Sequence, residues 1–230
     1  VIGWYSSTFT VTIFIPHWFI WFMILDVKKL AEVLGEPYSA MLGIDLRKGD
    51  PAYSKWFLAA FLYAKPIREE SATRTYRVFE SHGLTTARAI TDTTWDRLVE
   101  LLGKGGYTRY DDSTATRLLA IFGHLLDEYE GRLSQLYKES KDSRDLEVRI
   151  RELGKGIGPV TISVFLRDMR SVWPRADPEP TPRVMETAKA LGIDDVKKYA
   201  NSSHLDLVRL ETALHRYSRQ IRKPAVPASK

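Results

Sequence analysis

From Asp26 onward, apolar residues recur at intervals of three and four, and glycine or proline falls in most of the gaps. A chain so patterned buries its hydrophobic side chains as short helices. After Pro51, residues Trp56, Phe57, Ala60, Phe61 and Ala64 make a wide apolar face that ends at Pro66, which predicts a central, mostly buried helix. Residues 68–82 follow, with Ala72, Tyr76 and Phe79 on one face and Gly83 placed to close the helix. Further helices are expected over 86–90 and 94–102, then a turn at 103–106, then a long stretch over 113–137 interrupted near Gly131. A last apolar face runs through Leu205, Val208, Leu214, Tyr217 and Ile221. No repeat, low-complexity tract or flexible linker divides the chain, so the expected fold is all-α, with two interlocked helical lobes and a central cleft.

The first 25 residues stand apart. Val1 to Leu25 contains no acidic or basic residue and meets the length test for a membrane span. Pro16 and His17 in its middle, and no basic residue ahead of it, weigh against an anchor. Met23 lies just before the first ordinary helical segment, 26–35. An upstream translated stretch or a poorly ordered extension is therefore preferred over a membrane anchor or a buried element. The folded unit is expected over 26–222, with a basic tail over 223–230, and the protein is placed in the cytoplasm at the nucleoid.

With 34 Lys and Arg against 29 Asp and Glu, the formal charge is +5, which favours an anionic partner, nucleic acid first. The chain has no cysteine, which excludes disulfides, thiolate zinc sites, cysteine nucleophiles and an iron–sulfur cluster on four thiolates. His17, His82, His124, His204 and His215 lack the short spacings of zinc ligands, so neither a metal nor any other cofactor is expected.

The most informative segment is Leu153-Gly154-Lys155-Gly156-Ile157-Gly158-Pro159-Val160-Thr161, between amphipathic helices over 143–153 and 159–169. Glycines at 156 and 158 permit a very tight turn that leaves backbone N–H groups uncovered, and Pro159 suits the first position of the next helix. A DNA phosphate can rest on those N–H groups and on the positive end of that helix. The plainer alternative is a structural connector. Beyond the second helix come Trp173-Pro174-Arg175-Ala176-Asp177-Pro178 and then Thr181-Pro182-Arg183, which puts a carboxylate near a helix entrance; an ordinary Asp-Pro turn is the alternative there.

Over roughly residues 51–192 the chain resembles the helix-hairpin-helix DNA glycosylase superfamily, of endonuclease III type. The resemblance rests on the helix from Trp56 to Lys65, the Gly106-Tyr107 loop, the Gly156-Ile157-Gly158 hairpin and Asp177. It implies a base-excision repair enzyme acting on double-stranded DNA that holds a damaged or mispaired base, working as a monomer without an obligatory protein partner. Asp177 is then the catalytic carboxylate, with Glu179 in reserve. Lys155, Gly156, Ile157, Gly158 and Thr161 meet the backbone, and Lys65 is the wedge. Tyr107 and Arg109 belong to a loop facing DNA, and Trp56, Tyr63 and Tyr107 are the aromatics available for stacking. Cleavage of the N-glycosidic bond builds positive charge on the sugar, which a fixed carboxylate in a water-poor pocket stabilises.

The pattern is departed from in three places. Val160 stands where bifunctional members carry a Schiff-base lysine, which implies a monofunctional enzyme without lyase activity. The cluster cysteines are missing. Pro178, Pro180 and Pro182 replace polar residues after the aspartate. The alternative reading is a non-catalytic helix-hairpin-helix DNA-binding protein.

Overall fold

A computed structural model of the chain describes residues 26–221, and these fold into helices with no strand among them. The fold is all-α, as the periodicity predicts. The apolar segment 1–25 and the basic tail 223–230 lie outside the described residues, as does the side chain of Ile221.

Helix α1 (Val27–Leu34) leads through α2 (Tyr38–Met41) and a 3-10 turn (Leu46–Lys48) to α3 (Asp50–Tyr63). Helix α3 is the spine. Every residue from Trp56 to Tyr63 is buried, so no polar face is left, as for a helix enclosed on all sides. It is flanked by α4 (Glu69–Ser81) and by α10 (Pro159–Met169), and Trp56 donates its indole N–H to the carbonyl of Phe165 at 3.0 Å. Burying each such aromatic contributes about 1.5–3 kcal/mol.

Next come α5 (Ala87–Thr91), α6 (Trp95–Gly105), α7 (Asp111–Tyr129), α8 (Leu133–Glu139) and α9 (Ser143–Glu152). Thr86, Thr94 and Asp142 each cap a helix by accepting a backbone N–H. The interruption near Gly131 is a break between α7 and α8, made by Glu130 at φ 54° and Gly131 at φ 74°. The turn expected at 103–106 is not one: α6 runs on through Gly105 and closes at Gly106, which is left-handed at φ 86°. Gly105 lies so close to α4 that an added Cβ would collide with Thr75, so it is a helix-crossing glycine.

The chain ends in α11 (Pro182–Ala190), α12 (Val196–Ser202) and α13 (Leu207–Ile221). Buried apolar residues fall into two clusters. The larger runs from Tyr38 to Ala176, and the smaller joins Val27 of α1 to Val184, Ala188, Ile193, Val196, Ala200, Leu210 and Leu214. Helix α1 packs on α13, where Arg216 donates to the carbonyls of Leu34 and Glu36 at 2.8 and 2.7 Å. Among the described residues, no helix is long and apolar enough to cross a membrane.

Candidate nucleic-acid interface

Helix α9 ends at Glu152, and Leu153 sinks into the larger core. The turn then closes with Ile157 N–H donating to the Gly154 carbonyl at 3.3 Å. Gly156 sits at φ 105°, a conformation that L side chains rarely adopt, and an added Cβ would lie 2.7 Å from Cδ of Arg117. Ile157 is buried and anchors the tip. Gly158 is the N-cap of α10, in extended backbone and without a side-chain cap, and Pro159 begins the helix. Among the described residues, no acceptor meets the amides of Gly156, Gly158 or Val160. These donors and the positive end of α10 form the kind of cradle that accepts an anion.

Basic side chains gather there. Lys65, just past α3, donates Nζ to the Gly156 carbonyl at 3.2 Å and lies 4.5 Å from the centre of the Phe61 ring. Burial, and then the charge of Arg117, hold its ammonium below the ordinary lysine range. Lys155 is exposed at the turn. Thr161, counted among the DNA contacts, is 2 % exposed and belongs to the packed side of α10, whereas Val160 is 40 % exposed.

The aromatic residues lie elsewhere than a stacking role needs. Tyr107 is 1 % exposed and donates its hydroxyl to the Leu62 carbonyl at 3.2 Å; burial pushes its phenol far up. It is a core residue, not part of a surface loop. Trp56 is fully enclosed, and the Tyr63 hydroxyl bonds Thr73 Oγ1 at 2.6 Å. From that loop, Arg109 is exposed, with its guanidinium 5.6 Å from the Tyr110 ring centre.

Asp177 lies in the segment between α10 and α11. Ser163 Oγ donates to the Glu179 carbonyl at 2.9 Å and Arg170 to the Pro178 carbonyl at 2.8 Å, so this segment runs along α10. The Asp177 carboxylate is 54 % exposed, and Lys197 Nζ approaches its oxygens at 2.9 and 3.0 Å, with Arg170 at 3.7 Å. Glu179 is more exposed still, at 84 %. The residue that caps α11 is Thr181, whose Oγ1 accepts from Val184 N–H at 3.3 Å.

A cavity of about 1190 Å³ opens where the α3–α4 connection meets α11 and α13. Its wall starts at Pro66, the residue after Lys65, and carries Arg68, Arg74, Arg183, Arg216 and Arg219 with Glu69 and Glu70. Asp177 is not among the lining residues. Glu69 accepts from the Tyr38 hydroxyl at 2.7 Å and from Arg216 Nε at 3.3 Å. These arginines are scattered from 68 to 219 without a motif, so no local signal in the sequence brings them together. Among the described residues, no cluster of three or more His, Asp or Glu has the arrangement to hold a metal ion.

Comparison with protein-family models, with curated proteins and with solved structures gives no match.

Proposed function

We propose that this chain grips duplex DNA through residues 154–158 and hydrolyses the N-glycosidic bond of a damaged or mispaired base. The hairpin carries the reading: a glycine turn with acceptor-free amides stands at the start of α10, with Lys65, Arg117 and Lys155 beside it. A backbone phosphate accepts from such amides, and the cations add the sequence-independent attraction of duplex binding. Two hydrophobic clusters, with the cavity between α4, α11 and α13, support a two-lobed body with a cleft.

In this reading Asp177 stabilises the cationic sugar as the base leaves, and water adds to the anomeric carbon. With valine at 160 the product is an abasic site, and no strand cleavage follows. Lys65 is the wedge that supports base extrusion, because Trp56, Tyr63 and Tyr107 are core residues.

One observation favours the second reading, a non-catalytic DNA-binding protein. The Asp177 carboxylate is about half exposed, is paired with Lys197 and lies outside the cavity, whereas electrostatic stabilisation of a cation needs a site poor in water. A panel of duplexes, each with one alkylated, oxidised or deaminated base and scored for alkali-labile sites, separates the two. Base release by the wild type, lost in Asp177→Asn while duplex binding persists, establishes excision. Tight binding by the wild type with every lesion intact establishes the second reading.

A further inference from the structure

Helix α9 leads straight into the hairpin, and its three arginines fall on two faces. Arg149 is engaged: it donates to Asp145 at 3.1 Å and to Glu139 and the Tyr129 hydroxyl at 3.4 Å each. Arg144 and Arg151 are seven residues apart, which puts them on one side of the helix with Val148 between them. Both are exposed, and among the described residues neither makes a hydrogen bond or an ion pair through its side chain. Val148 is 38 % exposed. Lys155, exposed in the turn and likewise without an ion pair among the described residues, stands at the hairpin end of the line.

The nearby carboxylates leave this stripe unneutralised. Asp145 is taken up by Arg149 and by the Lys141 amide, and Glu139 by Arg149 and Gln135. Glu147 and Glu152 form no ion pair with any of the three cations among the described residues. Burial raises the Glu147 carboxyl against the lowering field of Arg151, and Glu179 and then Asp177 add to the rise. The 177–179 segment therefore borders the stripe on the Glu147 side.

Spacing narrows the partner. A helix rises about 1.5 Å per residue, so Arg144 and Arg151 stand about 10 Å apart, and one strand of a duplex presents a phosphate every ~3.4 Å along its axis. The two guanidinium groups therefore match phosphates about three apart, on the line that leads from the hairpin. A flexible acidic peptide offers no such fixed repeat. We infer that α9 is a backbone track, on which Arg144, Arg151 and Lys155 hold phosphates of one duplex strand leading away from the turn. The track rests on the duplex-binding half of the proposed function and needs no base excision.

Fluorescence anisotropy of the full chain on an undamaged duplex, over a salt series, tests the track. The Arg144→Gln, Arg151→Gln double variant should bind about tenfold more weakly, with a logarithmic salt dependence flatter by about two units. Both positions are exposed, so thermal melting should match the wild type. Arg149→Gln removes one charge from the paired face of the same helix and should leave the salt dependence unchanged. The track is overturned if the double variant binds as the wild type does, or if Arg149→Gln flattens the dependence as much as Arg151→Gln does. It is also overturned if the wild type holds polyglutamate more tightly than duplex through the same two arginines. Lys65→Met separates the track from the hairpin. A loss in the double variant with none in Lys65→Met keeps the track and removes the hairpin grip, a loss in Lys65→Met alone does the reverse, and a wild type that binds no duplex overturns both.

Discussion

Lys65 Nζ donates to the Gly156 carbonyl at 3.2 Å, which ties the end of α3 to the hairpin across 91 residues of sequence. The same Nζ lies 4.5 Å from the centre of the Phe61 ring, so one side chain links the spine of the larger core to the turn. Lys65→Met keeps the stem and removes the donor and charge. Duplex affinity should fall by about 1 kcal/mol, and the logarithmic dependence of binding on salt should flatten by about one unit. Fluorescence anisotropy over a salt series checks this, with Lys155→Ala as the exposed comparison.

Gly156→Ala should destabilise the fold by about 1–3 kcal/mol, since the backbone is at φ 105° and Arg117 Cδ would lie 2.7 Å from the new methyl. Adding Arg117→Ala should recover the steric part and leave the backbone part. Urea unfolding of the single and double variants measures both, and full recovery would show that the backbone conformation costs nothing.

Asp177→Asn should change stability by less than about 1 kcal/mol, because the ion pair with Lys197 is largely solvated. Thermal melting with the wild type would make this variant a clean probe of base release. A larger loss would assign the carboxylate a structural duty.

Burial, with the fields of Arg167, Arg219, Arg183 and Arg216, pushes His215 down to about 3 from an ordinary 6.5. Below pH 6.5 the unfolded chain takes up a proton that the native chain refuses until about 3. This contribution to stability is therefore complete above 6.5 and is lost as pH falls towards 3. Glu211, one turn earlier, is raised by burial against the lowering charge of Arg170 and runs the opposite way, so its protonation favours the native state in acid. Comparing His215→Gln with wild type isolates the first effect. Between pH 7 and 5 the wild type should lose about 2 kcal/mol more than the variant in denaturant unfolding.

Helix existence was legible because an apolar stripe at helical spacing leaves one economical way to bury itself, as in Trp56 to Tyr63. Other features turned on distant neighbours. Gly105 looks like a turn glycine in sequence, yet its reason is Thr75 on another helix. Tyr107 sits among loop-forming residues, but the Leu62 carbonyl gives its hydroxyl a buried partner. The hairpin was readable because its chemistry is local, within residues 153–161. The arginine-lined cavity was not, since Arg68 and Arg219 meet only when the ends of the described chain do.

The clasp of α1 on α13 also sets an order of events during synthesis. Leu34 waits for Arg216, 182 residues further on, and Val27 has no complete cluster until α13 has emerged. A growing chain can assemble its larger core first, whereas the smaller one stays a half-built socket until α13 leaves the ribosome. The wall of guanidinium groups needs Arg216 and Arg219 of α13, so it cannot form before that helix joins α1 and α4.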